Sequence, residues 1–143
     1  MATNIFVNLP VQDLNASVAF FTQLGFRFNQ QFTDENAACM VVSDTIYVML
    51  LVKPFFQNFT DKQLADARTS TEVIVCLSAD SREEVDRLAD AALAAGARPS
   101  KPLQEHECMH ARNFQDLDGH LWEVMYMDMS AVPQPEPAAA SAE

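Results

Sequence analysis

Ile5-Phe6-Val7-Asn8-Leu9-Pro10-Val11-Gln12-Asp13-Leu14 opens the chain, and Val73-Ile74-Val75-Cys76-Leu77-Ser78-Ala79-Asp80-Ser81 restates it in the second half. Each stretch reads as an apolar strand, a short turn carrying an Asp, and then a helix that stops at a glycine. The glycine is Gly25 in the first case and Gly96 in the second. Self-similarity on this scale means a fold built twice from one unit.

Working outward, Ile5, Val7, Leu9 and Val11 share one strand face and Phe6 and Asn8 the other. Asp13 is placed to cap the first helix, and Leu14, Val18 and Phe21 form its apolar stripe. Phe26 to Phe32 alternates as a second strand, Ala37 to Val42 is a third and Ile46 to Val52 a fourth. The first half therefore reads β-α-β-β-β. Pro54 to Ala67 is a connector with an amphipathic piece, read as a short helix from Asp61. In the second half, Glu72 to Ser78 is a strand and Ser81-Arg82-Glu83-Glu84 a capping box. Val85, Leu88, Ala89 and Ala92 supply the buried helix face. Arg98 to Lys101 is a short strand or extended link, Cys108 to Gln115 a strand, Asp116-Leu117-Asp118-Gly119 a turn, and His120 to Tyr126 the last strand. From Val132 the composition shifts to Pro, Ala, Ser and Glu, which reads as a disordered tail.

The bulk numbers exclude several function classes. A chain of 143 residues fits one domain and buries enough surface to fold without a disulfide or metal staple. A net charge of −11 argues against partners that need basic patches, so neither nucleic acid nor an anionic membrane is expected. The N-terminus lacks a signal-peptide pattern, and no apolar run approaches the ~20 residues of a membrane helix. Cys39, Cys76 and Cys108 read as reduced thiols, and the expected location is cytoplasmic. Three glycines cannot build a phosphate-cradling loop, and the Cys and His spacings match no zinc pattern.

Two β-α-β-β-β halves, the opening Val7-x-Leu9-x-Val11-x-Asp13-Leu14-x-x-Ser17-x-x-Phe20-Phe21, and the closing Asp116-x-Asp118-Gly119-His120-x-Trp122-Glu123 together resemble the vicinal oxygen chelate superfamily. That group holds glyoxalase I, extradiol dioxygenases, fosfomycin resistance enzymes and bleomycin-binding proteins. Within it the chain looks like the predicted lactoylglutathione lyase group. The resemblance implies an α+β fold of two modules that make a curved, cup-like mixed sheet with helices on its outer face. It implies a glyoxalase-like domain over 1–131, with module one at about 4–53, a connector at 54–70 and module two at about 71–128, followed by the tail at 132–143. It also implies a homodimer that covers open sheet edges.

Metal enzymes of the superfamily place one ligand on the first and last strand of each module. Carried over, these positions fall on Phe6, Met49, Ile74 and Glu123. Three of the four are apolar, and a single carboxylate cannot hold a catalytic ion that needs about three protein ligands. The expectation is no cofactor and no metal site; the alternative is a divalent metal ion.

Glu123 is the catalytic candidate, either as a general base in the cup or as a hydrogen-bonded structural carboxylate paired with Arg112 or His110. Trp122 is expected on the opposite face. Phe6, Asn8, Met40, Met49, Ile74 and Cys76 are candidates for an apolar, adaptable ligand wall, with ordinary core as the competing reading. His110, Arg112 and Phe114 alternate on one strand face and join the ligand set if that face is concave. The resulting expectation is a protein that binds a small organic molecule in a mainly apolar cup without a metal, with acid–base chemistry at Glu123. The alternatives are a metal-dependent lyase or isomerase of the glyoxalase I type, and a non-catalytic structural or regulatory dimer.

Overall fold

The computed structural model describes residues 3–103 and 106–130. The expected tail at 132–143 and the loop residue Glu105 lie outside them. Module one begins with strand β1 (Ile5–Val11) and helix α1 (Leu14–Gln23). Asp13 caps α1 by accepting from the Ala16 amide at 3.1 Å. Strands β2 (Arg27–Asn29), β3 (Ala37–Val41) and β4 (Ile46–Val52) complete a four-stranded sheet in the order β1-β4-β3-β2. Strand β2 is shorter than the alternation of Phe26 to Phe32 suggested. Asn29 accepts from the Gln31 amide and bends the chain into a 3-10 turn over Gln30–Phe32. A local side-chain bond has displaced the ladder there.

The connector also departs from expectation. Helix α2 (Lys53–Phe56) and a 3-10 turn at Gln57–Phe59 follow β4 directly, and no helix starts at Asp61. Pro54 sits in the first turn of α2, where its missing N–H costs nothing. Helix α2 packs back on β1 and β4.

Module two consists of strand β5 (Ile74–Ser78), helix α3 (Arg82–Ala94), and strands β6 (Met109–Gln115) and β7 (Leu121–Met127) in the order β5-β7-β6. The expected strand at Arg98 shrinks to a bridge between Arg98 and Gln115. Ser81 caps α3 by accepting from the Glu84 amide. The reciprocal half of the capping box does not form, because the Glu84 carboxylate takes Arg87 at 2.7 Å instead. Val85, Leu88, Ala89 and Ala92 form the buried face of α3, as their spacing predicts.

The two modules share one core. Helix α1 lies on its own sheet, and it also presents Phe20 to Phe114 of β6 and Phe21 to Trp122 of β7. Ring centroids are 6.2 and 5.1 Å apart. Leu9, Met40, Val48 and Leu50 from the first sheet join Phe114, Trp122 and Val124 from the second around α1 and α3. Both sheets thus turn their helix-covered faces to a common layer, and their other faces point away from it.

The Asp116–Trp122 segment clamps the modules together. Asp118 accepts from the Gln12 amide at 2.8 Å and from the Ser17 hydroxyl at 3.4 Å. His120 Nε2 donates to the Pro10 carbonyl at 2.7 Å. Asp116 accepts from the Asp118 and His120 amides and from the Trp122 indole. Burial raises the Asp116 carboxyl above its ordinary pKa, and these donors together with His120 oppose that rise. Gly119 adopts φ +92°, and a Cβ there would meet the Ala67 carbonyl oxygen at 2.9 Å. The turn needs glycine both for its backbone conformation and for the close approach of the connector.

Candidate functional site

The face of each sheet that turns away from the helices carries the candidate site. On β1 that face is Phe6, Asn8 and Pro10, because Leu9 and Val11 enter the core. Parallel pairing sets Phe6 opposite Tyr47 and Asn8 opposite Met49 on β4. Phe6 and Tyr47 stack with centroids 4.8 Å apart and planes 11° apart, while Phe6 stays 52% exposed. On β5 and β7 the matching face sets Ile74 opposite Leu121 and Cys76 opposite Glu123. Ile74 is 57% exposed.

The caps relate the two modules residue by residue. Asn8 stands five residues before the cap Asp13, and Cys76 stands five before the cap Ser81. Asn8–Met49 and Cys76–Glu123 are therefore counterparts, as are Phe6–Tyr47 and Ile74–Leu121. Only the Cys76–Glu123 pair sets two ionisable groups side by side. The Cys76 thiol donates to Glu123 Oε1 across 3.6 Å. Its pKa is pushed up to about 11, first by desolvation against the sheet, then by the charge of Glu123 and by that hydrogen bond. At neutral pH the group is a neutral thiol that orients the carboxylate; it is not a thiolate nucleophile.

Glu123 and Trp122 occupy opposite faces, as strand alternation predicts. Trp122 is buried and Glu123 partly open. Phe6, Asn8, Met49, Ile74 and Cys76 share the outward faces with Glu123, three on the first sheet and three on the second. Four other candidates do not join them. Met40 is fully buried on the helix side of β3, because the position next to Val41 turns it inward. Phe114 is buried against Phe20. His110 and Arg112 share the face of Phe114, so that face is convex. His110 Nε2 contacts Asp86 Oδ1 at 2.8 Å, and Arg112 reaches Asp86 and Asp90 on α3 at 3.1 and 2.9 Å. These contacts hold the Asp86 carboxyl below its usual pKa, the His110 hydrogen bond most of all. Neither residue reaches Glu123.

A metal does not fit the ligand positions. Phe6, Met49 and Ile74 offer no donor for a hard or borderline divalent ion. Among the described residues no group of three or more His, Cys, Asp or Glu side chains converges to hold one.

Sequence reasoning missed a concavity beside the candidate faces. A crevice of about 560 Å³ runs beside β1, between Asn8 and Pro10 on one side and the connector on the other. Phe56, Leu64 and Val73 supply apolar wall, and Lys62, Glu72 and His120 line it with polar groups. The connector's amphipathic piece reads as a short helix from Asp61, and nothing in that pattern signals a crevice wall. Among the described residues, no helix is long and apolar enough to cross a membrane.

Comparisons with known proteins follow the same lines. Residues 3–43 match the family model described as bleomycin resistance protein-like N-terminal. A search of the curated proteins finds no match. Among solved structures, a hypothetical protein from S. aureus is 29% identical, with TM-score 0.73 over 88% of this chain and 95% of the other. A glyoxalase/bleomycin resistance protein/dioxygenase family enzyme from Burkholderia phytofirmans PsJN has TM-score 0.71 at 18% identity, covering 88% and 99%. A fosfomycin resistance protein from Listeria monocytogenes, solved with Mn(II) and sulfate, has TM-score 0.65 at 15% identity, covering 89% and 91%. The chain has the fold of the glyoxalase/bleomycin resistance/dioxygenase group, the vicinal oxygen chelate superfamily, and its first module carries the bleomycin resistance protein-like N-terminal sequence pattern.

Proposed function

We propose that this protein binds a small organic molecule in a mainly apolar cup, without a metal, and that Glu123 supplies the cup's carboxylate, as hydrogen-bond acceptor and acid–base group. The observation that carries this reading is the pair of outward sheet faces. They expose Phe6, stacked on Tyr47, together with Met49 and Ile74 at the positions where relatives that use metals need donors, and they keep a single carboxylate held by a thiol. Such surfaces recognise apolar and planar groups through dispersion and contact area, and they fix orientation through one or two polar atoms.

The two faces point away from each other within one chain. A closed cup therefore requires a second copy, so that the Phe6–Met49 face of one protomer meets the Ile74–Glu123 face of its partner. The free edges of β1 and β5 gain strand neighbours in the same step. A homodimer is thus part of the proposal. The metal-dependent lyase alternative, and with it lactoylglutathione lyase activity, lacks ligands at Phe6, Met49 and Ile74.

The test is a thermal-shift screen of planar aromatic and apolar small molecules, with light scattering across a concentration series. The expected result is a dimer mass and a ligand whose stabilisation disappears in Phe6→Ala and changes in Glu123→Gln, because a ligand that binds only the native state must raise stability. A monomer at all concentrations, or one equivalent of tightly held Ni, Zn, Fe or Mn by elemental analysis, overturns the reading.

A further inference from the structure

The chain carries six arginines, and the structure divides them sharply. Arg87 pairs with Glu84, and Arg112 with Asp86 and Asp90. Arg82 donates to the Glu107 carbonyl and lies over the Tyr126 ring. Arg27, Arg68 and Arg98 have no carboxylate partner among the described residues. Two of these three, Arg68 and Arg98, line one small pocket of about 110 Å³ with Gln115, Asp116, Leu117 and Gly119.

Both arginines stand on fixed backbone. Arg68 belongs to a turn in which Asp66 Oδ1 accepts from its amide and the Asp66 carbonyl accepts from the Thr69 and Ser70 amides. Arg98 exchanges two backbone hydrogen bonds with Gln115, at 3.0 and 2.7 Å. The close approach of Gly119 to Ala67 holds the two pieces together. The one acidic residue at the pocket is Asp116. Its oxygens are already occupied by the Asp118 and His120 amides and the Trp122 indole, and burial favours its neutral form. In a chain with 20 acidic and 9 basic residues, two exposed arginines at one pocket with no carboxylate partner among the described residues are open to an anion from solution.

We propose that Arg68 and Arg98 form a binding site for a phosphate-type oxyanion, separate from the cup and independent of the function proposed for it. Two guanidinium forks match tetrahedral oxyanion geometry, and their hydrogen bonds to a charged acceptor are the stronger kind. The pocket admits a phosphoryl group and little more. Because Arg68 rides on the connector and Arg98 on module two, a bound anion ties the connector to that module.

The experiment is an NMR titration of the full chain with sodium phosphate, with sodium chloride at equal ionic strength as reference. Saturable shifts are expected at the amides of Arg68, Arg98 and Gly119. Arg98→Gln should weaken binding about tenfold or more, through loss of one charge-assisted fork. Arg27→Gln, which removes an unpaired arginine elsewhere, should leave it unchanged. If Arg98→Gln fails to fold, Arg68→Gln serves as the same test from the connector side. Phenyl phosphate separates the sources: tighter binding of the ester assigns the site to phosphomonoesters, and equal binding assigns it to free phosphate. Shifts that merely follow chloride, or equal weakening in Arg27→Gln, overturn the proposal, because they report net charge alone.

Discussion

Modules one and two are alike inside and different outside. Their inner faces both contribute to one layer around α1 and α3, where Leu9, Val48 and Leu50 play the part that Phe114, Trp122 and Val124 play in the other sheet. Their outer faces occupy equivalent positions with unlike chemistry. Module one offers Asn8 beside Met49 and an aromatic stack; module two offers Cys76 beside Glu123. The inner faces fill one packed layer with unlike residues, Val48 in the first sheet standing where Trp122 stands in the second. The outer face is free to diverge, because its residues are not held by the shared core. In this chain the paired thiol and carboxylate lie on the outer face of module two, and the aromatic stack on that of module one.

The sharpest way to break the comparison is to ask whether the inner faces really form one core. Phe21→Ala should cost about 3–5 kcal/mol, the usual range for a buried aromatic truncated in a packed interior. Trp122, the sole tryptophan, reports module two by fluorescence, while circular dichroism reports both modules. Urea transitions by the two probes should coincide. Two separate transitions would mean that the modules fold independently.

The clamp comes next. Asp118→Ala leaves the Gln12 amide and the Ser17 hydroxyl without their acceptor, at an expected cost of about 1–3 kcal/mol. The melting temperature measures it. An unchanged value would show that these two hydrogen bonds do not carry the joint between the modules.

The outer-face difference is sharpened by chemistry at Cys76. Removing the charge of Glu123 lowers the Cys76 pKa from about 11, so Glu123→Gln should speed iodoacetamide labelling of Cys76 at pH 9 by roughly severalfold, since rate follows the thiolate fraction. Met49→Leu, the counterpart change in module one, should leave that rate alone. Equal labelling in wild type and Glu123→Gln would dissolve the pair.

The smallest effect concerns the convex side. The Asp86 carboxyl titrates below its unfolded value, so its contribution is present above the ordinary Asp pKa of ~3.9 and fades as pH falls through the folded value. Asp86 is about half exposed at 47%, so Asp86→Asn should cost well under ~1 kcal/mol at pH 7. It should cost nothing in acid. A larger loss, or one that persists at low pH, would give the His110–Asp86–Arg112 cluster a role beyond surface pairing.

Much of this was legible before folding. The repeat, the two helix caps, the buried face of α3, β1 and β4 end to end, and the opposition of Trp122 and Glu123 follow from periods of 2 and 3.6 and from capping chemistry, which are local. Met40 and the His110–Phe114 face were read onto the cup because alternation tells which residues share a face but not which face meets the helices. The connector's part in the crevice was invisible, since its amphipathic pattern suggests a helix and says nothing of the strand it lies beside.

The sequence by itself determined the α+β class and the twofold plan, because each depends on residue type at a fixed offset along the chain. Only the tertiary structure decided that the sheets enclose the helices in one shared layer, that Cys76 meets Glu123, that His110 and Arg112 pair with acidic residues of α3, and that Arg68 and Arg98 border one pocket. The contacts that set this arrangement join residues up to 110 positions apart, as between Pro10 and His120, and long-range packing of side chains leaves no mark in local spacing.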